Sequence, residues 1–506
     1  MNETKNDDFC ENDALLLTKK NYKVGVVDNI KIVKHGEHDN KKISRIQKIP
    51  PRLRQFYVAI GPILVTTSVG MAEGYSAILL PKLEKEGNFE IDNDLSSWIA
   101  SMAALPMALG CILGGYLMEI IGRKVIHMVA CIPLIIGWLI IYYASDVNMI
   151  LAGRFLTGFC VGVLGPPTGV YMSETSDPKF RGFLLAAISF AIALGIFLSH
   201  LLGTYMSWQN TALLCCSFPL MCVFVMIPAP ESPTFLAKIG KIEKARKAFY
   251  WCRGYSEAAT QELEVLIERQ GILTEEPKKS IKEYFEALNK PEFLKPLMII
   301  MIFFITMQWS GNNAISFYCV DIMKKTFGDN LDEYLSMLII DTIRLVMSVN
   351  ACILLKKIGR KPLAILSGVG TFLSLFVLSG FVFATKYYSD IATYTFVPMT
   401  CLVLYTGFIT IGFVPLPWTM MGEVFPLANR GLGSGIVAMV NYVMIFAVVK
   451  VTPSMLHNLG SDGTFFTYAV CCFFGTIFLI LYLPETKDKP LHVIEDYFKS
   501  KPKNVV

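Results

Sequence analysis

Long apolar runs without charge alternate with short charged segments along most of the chain. The first run, Phe56–Leu80, contains a single charge, Glu73, and the next, Leu95–Met118, contains none. Each run supplies roughly the 20 residues that a helix needs to cross a bilayer. Phe183–Pro230 is long enough for two such helices, and Met206–Trp208 marks the predicted turn between them. The other predicted spans are Val125–Ser145, Phe155–Ser173, Leu297–Val320, Tyr334–Leu355, Pro362–Thr385, Ile391–Gly422, Gly431–Val449 and Thr464–Leu483.

The runs form two groups of six, separated by the polar and charged segment Glu231–Pro296. Hydrophobic residues make up 53% of the 506 residues, and charged residues make up 17% against about 25% in an ordinary soluble protein. This composition excludes a secreted disulfide-rich module, a disordered protein and a typical cytosolic enzyme. The 13 cysteines lie mostly inside apolar runs, so we expect small buried side chains rather than disulfides.

Lysine and arginine are distributed unevenly between the two sides that twelve spans define. Of the 46 Lys and Arg residues, 38 fall on the side that holds both termini and the central segment. The loops on the opposite side hold 5, and Arg154, Arg344 and Lys450 lie within spans. An excess of positive charge marks the cytoplasmic loops of membrane proteins. The distribution therefore predicts cytoplasmic termini, and it supports twelve spans because one missed span would reverse every later loop.

The predicted fold class is an all-α membrane protein with two six-helix bundles and a cytoplasmic helical linker. Apolar residues recur at helical spacing between charges in Lys241–Cys252, Glu257–Gln270 and Ile281–Leu288, which predicts short amphipathic helices. We interpret them as a cytoplasmic collar, with a lipid- or calmodulin-binding segment as the alternative. The predicted segments are a disordered amino tail at 1–55, bundles at 56–230 and 297–483, the linker at 231–296 and a carboxyl tail at 484–506.

The two groups of spans carry related motifs at equivalent positions. Gly-Arg-Lys follows the second span of each group, and a glutamate followed by Arg-Gly follows the fourth. Pro-Glu follows the sixth. Three paired motifs in equivalent places predict an internal duplication. The pairs are Gly122–Lys124 with Gly359–Lys361, Ser173–Gly182 with Gly422–Gly431, and Pro230–Pro233 with Pro484–Lys487.

These motifs place arginines and glutamates near the predicted cytoplasmic ends of the spans. Two similar bundles can rock about a site between them near the middle of the bilayer. Arginine–glutamate pairs across the bundles would hold the cytoplasmic mouth shut, and their rupture would open it. The alternative is that the basic residues only anchor the loops on that side. The predicted gate network consists of Arg123, Arg154, Glu174, Arg181, Arg360, Glu423 and Arg430.

In combination, the motifs resemble those of the sugar porter family of the major facilitator superfamily. The resemblance covers Phe56–Phe498, and within the family Gly70–Pro81 and Ser173–Gly182 are most similar to the facilitated trehalose transporter-like branch. It implies a major facilitator fold and transport of a sugar by alternating access. The matching motifs are Gly122–Lys124, Arg154 and Phe155 with Gly158 and Gly162, Tyr171–Gly182, Pro230–Pro233, Pro415–Trp418 and Pro484–Lys487.

Polar side chains within the spans are candidates for a sugar site, because sugars need hydrogen-bond partners and a flat aromatic face. Gln308 and Asn312 are four residues apart and are predicted to share one helix face. Trp418 follows two prolines predicted to break the tenth span, so it is either a gating aromatic residue or a membrane-interface residue. Intramembrane amides either line a cavity or join helices. The predicted substrate-binding residues are Gln308, Asn312, Asn313, Tyr318, Trp418 and Asn441, to which the resemblance adds Ser189.

The chain departs from the family pattern at several positions that the resemblance assigns to the sugar. Each departure removes polarity or adds bulk, and the loss of one amide contact would weaken binding by about 1–3 kcal/mol. Lys356 stands where the family has an acid, which predicts a weaker gate network in the second bundle. The departures in the pocket are Ser189, Met307, Phe317, Val414 and Ile445.

Two charges within the spans are candidates for a coupling or cavity role. Glu73 lies one residue beyond Ala72, where the resemblance places the aspartate of proton-coupled relatives. A buried Glu73 would couple sugar to protons, but the offset of about 100° around the helix argues against this. Arg344 either faces the cavity and shapes substrate choice or pairs with Asp341, one turn away.

The sequence therefore predicts a facilitative transporter of trehalose or a hexose such as glucose. Its expected partners are the sugar and the lipid bilayer, and we expect a monomer in the plasma membrane with both termini cytoplasmic. A proton-coupled symporter and a non-transporting sugar sensor of the same fold stay open as alternatives. No phosphate loop, metal-spaced cluster or nucleophile–base arrangement is found, so we expect no enzyme activity, cofactor, metal or nucleic-acid partner.

Overall fold

A computed structural model describes the chain in several segments. The predicted disordered amino tail, the predicted helix at Ile281–Leu288 and most of the carboxyl tail lie outside them. The twelve cysteines that the structure describes are free and mostly buried, as predicted for that part of the chain. The described residues are 50–86, 92–275, 289–327, 332–388, 394, 396–425, 430–487, 489, 494 and 497–498.

Within the described segments, twelve helices are long and apolar enough to cross a membrane, which confirms the predicted number. Successive spans run in opposite directions. We call the side where the first span begins the linker side and the other side the distal side. Spans 1 to 12 are Pro51–Glu86, Asp94–Ile121, Arg123–Tyr142, Val147–Thr175, Phe180–Tyr205, Trp208–Met226, Pro291–Phe317, Glu333–Lys357, Arg360–Thr385, Phe396–Val424, Leu432–Asn458 and Gly460–Tyr482.

The same packing pattern occurs in both groups of six spans. Span 1 packs on span 5, and spans 2 and 3 pack on span 4; the equivalent pairs are 7 with 11, 8 with 10, and 9 with 10. Gly70 and Gly195 allow the backbones of spans 1 and 5 to approach closely, since a β-carbon on Gly70 would lie 2.1 Å from the carbonyl oxygen of Ile192. Between the halves, span 5 packs on span 8 and span 2 on span 11. These two contacts are equivalent under the repeat, so the duplication predicted from the motifs extends to the fold.

The segment between the halves forms short helices that pack on the first half. Two of the three predicted amphipathic helices are present among the described residues, and a further short helix precedes them. Gln55 Nε2 at the start of span 1 donates to the carbonyl oxygen of Cys252 at 3.2 Å. Arg253 Nη1 lies 3.3 Å from Asp177 Oδ2 in the turn between spans 4 and 5. The linker helices are Pro233–Lys238, Ile242–Arg253 and Glu257–Glu275.

Spans 7 and 10 are both interrupted. In span 7 a helix ends at Trp309, Gly311 adopts a left-handed φ of 87°, and a new helix begins at Asn312. The prediction that Gln308 and Asn312 share one continuous helix face is therefore wrong. Tyr405 of span 10 donates a 3.0 Å hydrogen bond to the carbonyl oxygen of Ser310, which the break leaves without a helical partner. Span 10 is broken before Pro415, as its prolines predicted.

Candidate functional site

Two buried amides from different spans meet in the interior of the second half. Gln308 Nε2 on span 7 donates a hydrogen bond of 2.8 Å to Asn441 Oδ1 on span 11. Both side chains are buried, and Gln308 Oε1 has no hydrogen-bond partner among the described residues. An unpaired buried amide oxygen costs about 1–3 kcal/mol. The pair is therefore suited to a ligand that donates a hydrogen bond, such as a hydroxyl group.

The break in span 7 places two more amides next to this pair along the chain. Asn312 Nδ2 donates to Asn313 Oδ1 at 3.0 Å, and Asn313 is nearly buried while Asn312 is partly exposed. Tyr318 donates its hydroxyl hydrogen to the carbonyl oxygen of Val449 at 2.9 Å. This bond joins span 11 to the residue that follows span 7. Tyr318 therefore fixes the broken segment, whereas the asparagines keep polar atoms available near the break.

Trp418 supplies an accessible aromatic face beside the span that carries Gln308. It lies on the short helix Pro415–Val424, is 38% exposed, and its ring makes an edge-to-face contact with Phe304 at 5.0 Å between centroids. Phe304 and Gln308 are four residues apart on one helix, so they share a face. Ser189 is partly exposed on span 5. Among the described contacts it forms no hydrogen bond with these residues.

Arg123 is the centre of an ion cluster on the linker side of the first half. Its Nε lies 3.1 Å from Glu174 Oε2, and its Nη2 lies 2.7 Å from Glu119 Oε1. Its Nη1 donates a hydrogen bond of 2.9 Å to the carbonyl oxygen of Met118. Glu231 accepts the backbone N–H of Arg123 at 3.0 Å. The nearly buried guanidinium thus ties together the ends of spans 2, 3 and 4, and Glu231 adds the start of the linker.

The second half repeats this cluster with fewer charges. Arg360 Nη2 lies 2.8 Å from Glu423 Oε1, and Glu485 accepts the backbone N–H of Arg360 at 2.9 Å. Lys356 stands in the position equivalent to Glu119, so Arg360 has one carboxylate partner where Arg123 has two. Burial acts to raise the pKa of Glu485, but four backbone N–H groups outweigh it and hold that pKa below its ordinary value.

Each cluster lies within its own half, and the pairing across the bundles stays a prediction. Because the repeat gives each half its own arginine and its own glutamate, comparison of the motifs cannot tell a pair within one half from a pair across the halves. Arg181 on span 5 forms no ion pair among the described residues, and its buried Nε has no hydrogen-bond partner there. Arg430 begins the helix of span 11, but its side chain lies outside the described part.

Arg154 belongs to neither cluster, contrary to the prediction. Span 4 starts directly after its capping residue Asp146, which places Arg154 in the distal part of the helix. Glu174 lies about 30 Å farther along that helix. The fully buried guanidinium of Arg154 donates to the carbonyl oxygen of Ala72 at 2.8 Å and to Ser76 Oγ, both on span 1. Arg154 therefore fastens spans 1 and 4 together on the distal side.

A buried contact that was not predicted joins the two halves on the distal side. His200 Nδ1 on span 5 lies 2.5 Å from Asp341 Oδ2 on span 8, and His200 Nε2 lies 2.9 Å from the carbonyl oxygen of Gly74 on span 1. An ionisable residue inside a membrane span is itself a sign of function. The sequence therefore contained the signal, because His200 interrupts the apolar run Phe183–Pro230.

The two predicted intramembrane charges lie close to this contact. Arg344 Nη1 is 3.9 Å from Asp341 Oδ1 and donates to Ser316 Oγ at 2.5 Å. Glu73 is buried within electrostatic range of Arg344. The alternative pairing of Arg344 with Asp341 is therefore present, and Ser316 connects Arg344 to the short helix that begins at Asn312.

Known proteins share both the sequence and the fold of this chain. Residues 62–498 match the family model described as sugar (and other) transporter. The chain is 33% identical over 444 residues to the facilitated trehalose transporter Tret1-2 homolog of Drosophila simulans, covering 87% of this chain and 90% of the relative. It is 32% identical over 482 residues to the facilitated trehalose transporter Tret1 of Drosophila pseudoobscura pseudoobscura, covering 91% of this chain. The chain spans only 55% of the length of that relative.

Solved structures of a bacterial transporter share the fold. The proton:xylose symporter XylE, bound to 6-bromo-6-deoxy-D-glucose, superposes with a TM-score of 0.72 at 19% identity, covering 89% of this chain and 100% of that structure. The inward open conformation of XylE from E. coli gives a TM-score of 0.71 at 20% identity, with 88% and 100% covered. These similarities show the major facilitator fold. With twelve membrane-spanning helices and a family match over most of its length, the chain is a multi-pass membrane protein that belongs to the sugar (and other) transporter family.

Proposed function

We propose that this protein carries trehalose or a hexose such as glucose across the membrane as a uniporter. The observation that carries the proposal is the buried, unpaired Oε1 of Gln308 beside Asn441. A sugar hydroxyl supplies the missing donor, and the accessible face of Trp418 suits the apolar face of a sugar ring. The relatives that are named trehalose transporters support trehalose as one substrate.

Alternating access in this proposal is a movement of two stiff halves. The Arg123 and Arg360 clusters fasten the linker-side helix ends within each half, and Arg154 fastens spans 1 and 4 on the distal side. The halves then rock about the contacts of span 5 with span 8 and of span 2 with span 11. The protein acts as a monomer in the plasma membrane, with its termini and linker in the cytoplasm. The excess of Lys and Arg on that side supports this orientation.

Counterflow of labelled trehalose and of labelled glucose by purified protein in liposomes tests the proposal. We expect exchange of at least one sugar, and we expect Gln308→Leu to weaken its apparent affinity roughly 5- to 150-fold, since one amide contact is worth about 1–3 kcal/mol. Asn350→Leu is the matched control, because among the described residues this intramembrane amide bonds within its own helix alone. Absence of exchange by folded protein would contradict the proposal and favour the sugar sensor.

A further inference from the structure

We propose that His200 and Asp341 form a proton-binding latch that closes the distal side of the transporter. The proposal rests on the alternating-access movement proposed above and adds a proton to it. His200 belongs to the first half and Asp341 to the second, and both are within about eight residues of the distal ends of their spans. Separation of the halves on that side must therefore break their contact.

The hydrogen-bond geometry requires a proton in this contact. His200 Nε2 faces the carbonyl oxygen of Gly74 at 2.9 Å, and a carbonyl only accepts, so Nε2 carries a hydrogen. The 2.5 Å contact between Nδ1 and Asp341 Oδ2 needs a second hydrogen. It is either an imidazolium beside a carboxylate or a neutral imidazole beside a carboxylic acid. Both forms hold one proton more than a neutral imidazole beside an ionised carboxylate.

Burial makes the loss of that proton unfavourable while the halves are together. The exposed fractions of His200 and Asp341 are 0% and 1%, so water does not replace a missing hydrogen bond. Without the proton, the lone pair of Nδ1 would face a carboxylate oxygen with no hydrogen between them. The other titratable groups around the pair are Arg344 on span 8, Glu73 on span 1 and Cys319 after span 7.

Opening of the distal side releases the proton. Once the halves separate, water supplies hydrogen-bond partners to Nδ1 and to the carboxylate, so neither group needs the shared hydrogen. The hydrogen between Nδ1 and Oδ2 then passes to distal water, and the other hydrogen stays on the ring. The distal-closed state thus binds one proton more than the distal-open state, so acid favours closure and closure is lost as the pH rises. The closed-to-open ratio changes by up to about tenfold per pH unit.

The latch regulates transport without proton symport. The movement that opens the distal side releases the proton to that side, and closure takes it up again from the same side. A pH gradient across the membrane therefore changes the rate of sugar movement but does not drive sugar accumulation.

Distance measurements between spin labels test the latch without any sugar. The exposed distal residues Tyr205 on span 5 and Leu335 on span 8 are replaced by cysteine and labelled, and double electron–electron resonance is recorded from pH 5.5 to 8.5. Because most described cysteines are buried, the labelled parent without these two changes measures the background. We expect the ratio of short to long distances to fall by up to about tenfold per pH unit as the pH rises, and we expect this fall to be absent in His200→Gln and in Asp341→Asn.

Two further variants distinguish the latch from a general effect of charge between the halves. Lys450→Gln removes the other ion pair that the described residues form between the halves, in which Lys450 Nζ lies 2.7 Å from Asp94 Oδ1. We expect this variant to shift the ratio of short to long distances at every pH. The slope, which is the change of that ratio per pH unit, should stay the same. Glu73→Gln should also keep the slope. A slope that disappears in Glu73→Gln but persists in His200→Gln, or a parent without pH dependence, overturns the latch. The spin-label measurements contain no sugar. A failure of sugar counterflow alone would therefore contradict the proposed function and not the latch.

Discussion

Arg154 and Gln308 are both buried polar residues within spans, but their hydrogen bonds differ. Arg154 directs its donors to Ala72, Ser76, Ile99 and Ala100 on spans 1 and 2. Gln308 has a partner for its amide nitrogen and none for its oxygen among the described residues. A satisfied group joins helices, whereas an unsatisfied one leaves a place for a ligand. Substitution of the two residues should therefore affect different properties.

Arg154→Lys is expected to lower thermal stability. A lysine ammonium is a compact charge and cannot reproduce the planar fork that reaches two neighbouring spans. Carbonyl oxygens would lose their partners, at a cost of about 1–3 kcal/mol for each buried group. Thermal unfolding in detergent measures the loss. Gln308→Leu is the comparison and should lower the melting temperature less, because it takes the donor from Asn441 Oδ1 but also removes the unpaired Oε1. An equal fall in both variants would contradict the assignment of Gln308 to the ligand rather than to helix packing.

At the scale of single residues, the sequence indicates which polar side chains within the spans matter, but it does not indicate which residues they bond to. Amides such as Gln308 and Asn441 stand out because they interrupt apolar runs, but their hydrogen bond joins residues 133 positions apart. No local pattern indicates such a pairing. His200 was not predicted because uncharged runs locate the spans and histidine counts as neutral at pH 7. Its contact with a buried carboxylate appears only when spans 5 and 8 are packed together.

The bounds of the helices depend on caps and hydrogen bonds as well as on hydropathy. Span 4 was predicted to begin at Phe155 because Arg154 ended the uncharged run, but the helix begins at Val147 after a capping aspartate. Burial of Arg154 is possible because its donors are satisfied. The interruption at Gly311 is a backbone feature, and a count of apolar residues does not register it. The prolines of span 10 gave a visible signal, and that break was predicted.

Glu485→Gln is expected to remove a pH-dependent contribution to stability at the linker-side end of the second half. Backbone N–H groups hold the pKa of Glu485 below its ordinary value of about 4.5, although burial opposes them. The charged carboxylate therefore stabilises the folded state above about pH 4.5, and this contribution is lost as the pH falls through the lower pKa of the folded protein. Melting temperatures of the parent and the variant should differ at pH 7 and converge below pH 4.5.

The control for this prediction is Glu268→Gln, which changes an exposed carboxylate on a linker helix. Its difference from the parent should be small throughout the same pH range. A difference between parent and Glu485→Gln that persists unchanged to pH 3.5 would show that the backbone N–H groups do not favour the charged form of Glu485.

The whole molecule repeats the packing of its two halves and also the span pairs that form its ionic contacts. Twelve spans and their duplication follow from hydropathy and motifs, which are properties of each half alone. The conformational state does not follow from hydropathy and motifs, because it depends on the side of the molecule on which the two halves meet. Among the described residues, the two ion pairs between the halves, Lys450 with Asp94 and His200 with Asp341, both lie on the distal side. The linker-side clusters of Arg123 and Arg360 stay within their halves.

Arg181→Ala is expected to shift the population toward the distal-closed state. The buried Nε of Arg181 has no hydrogen-bond partner among the described residues. We expect this guanidinium to gain a carboxylate when the linker side closes, and we infer that Glu423, which pairs with Arg360 in the structure, is the acid on the other half. Removal of Arg181 should therefore destabilise only the distal-open state. The spin-label distance between positions 205 and 335 at pH 7.5 should lose its longer component, and counterflow should slow.

Lys238→Ala tests whether this effect requires a contact across the halves. Lys238 Nζ, at the end of a linker helix, pairs with Glu119 of the first half at 2.5 Å on the same side. Its loss therefore removes a positive charge without changing an ion pair between the halves. We expect its distance distribution to match the parent. If Arg181→Ala also matches the parent, Arg181 only anchors its loop, and the gate would depend on Arg430. Arg430→Ala in the same assay then decides whether any arginine of the repeat closes the linker side.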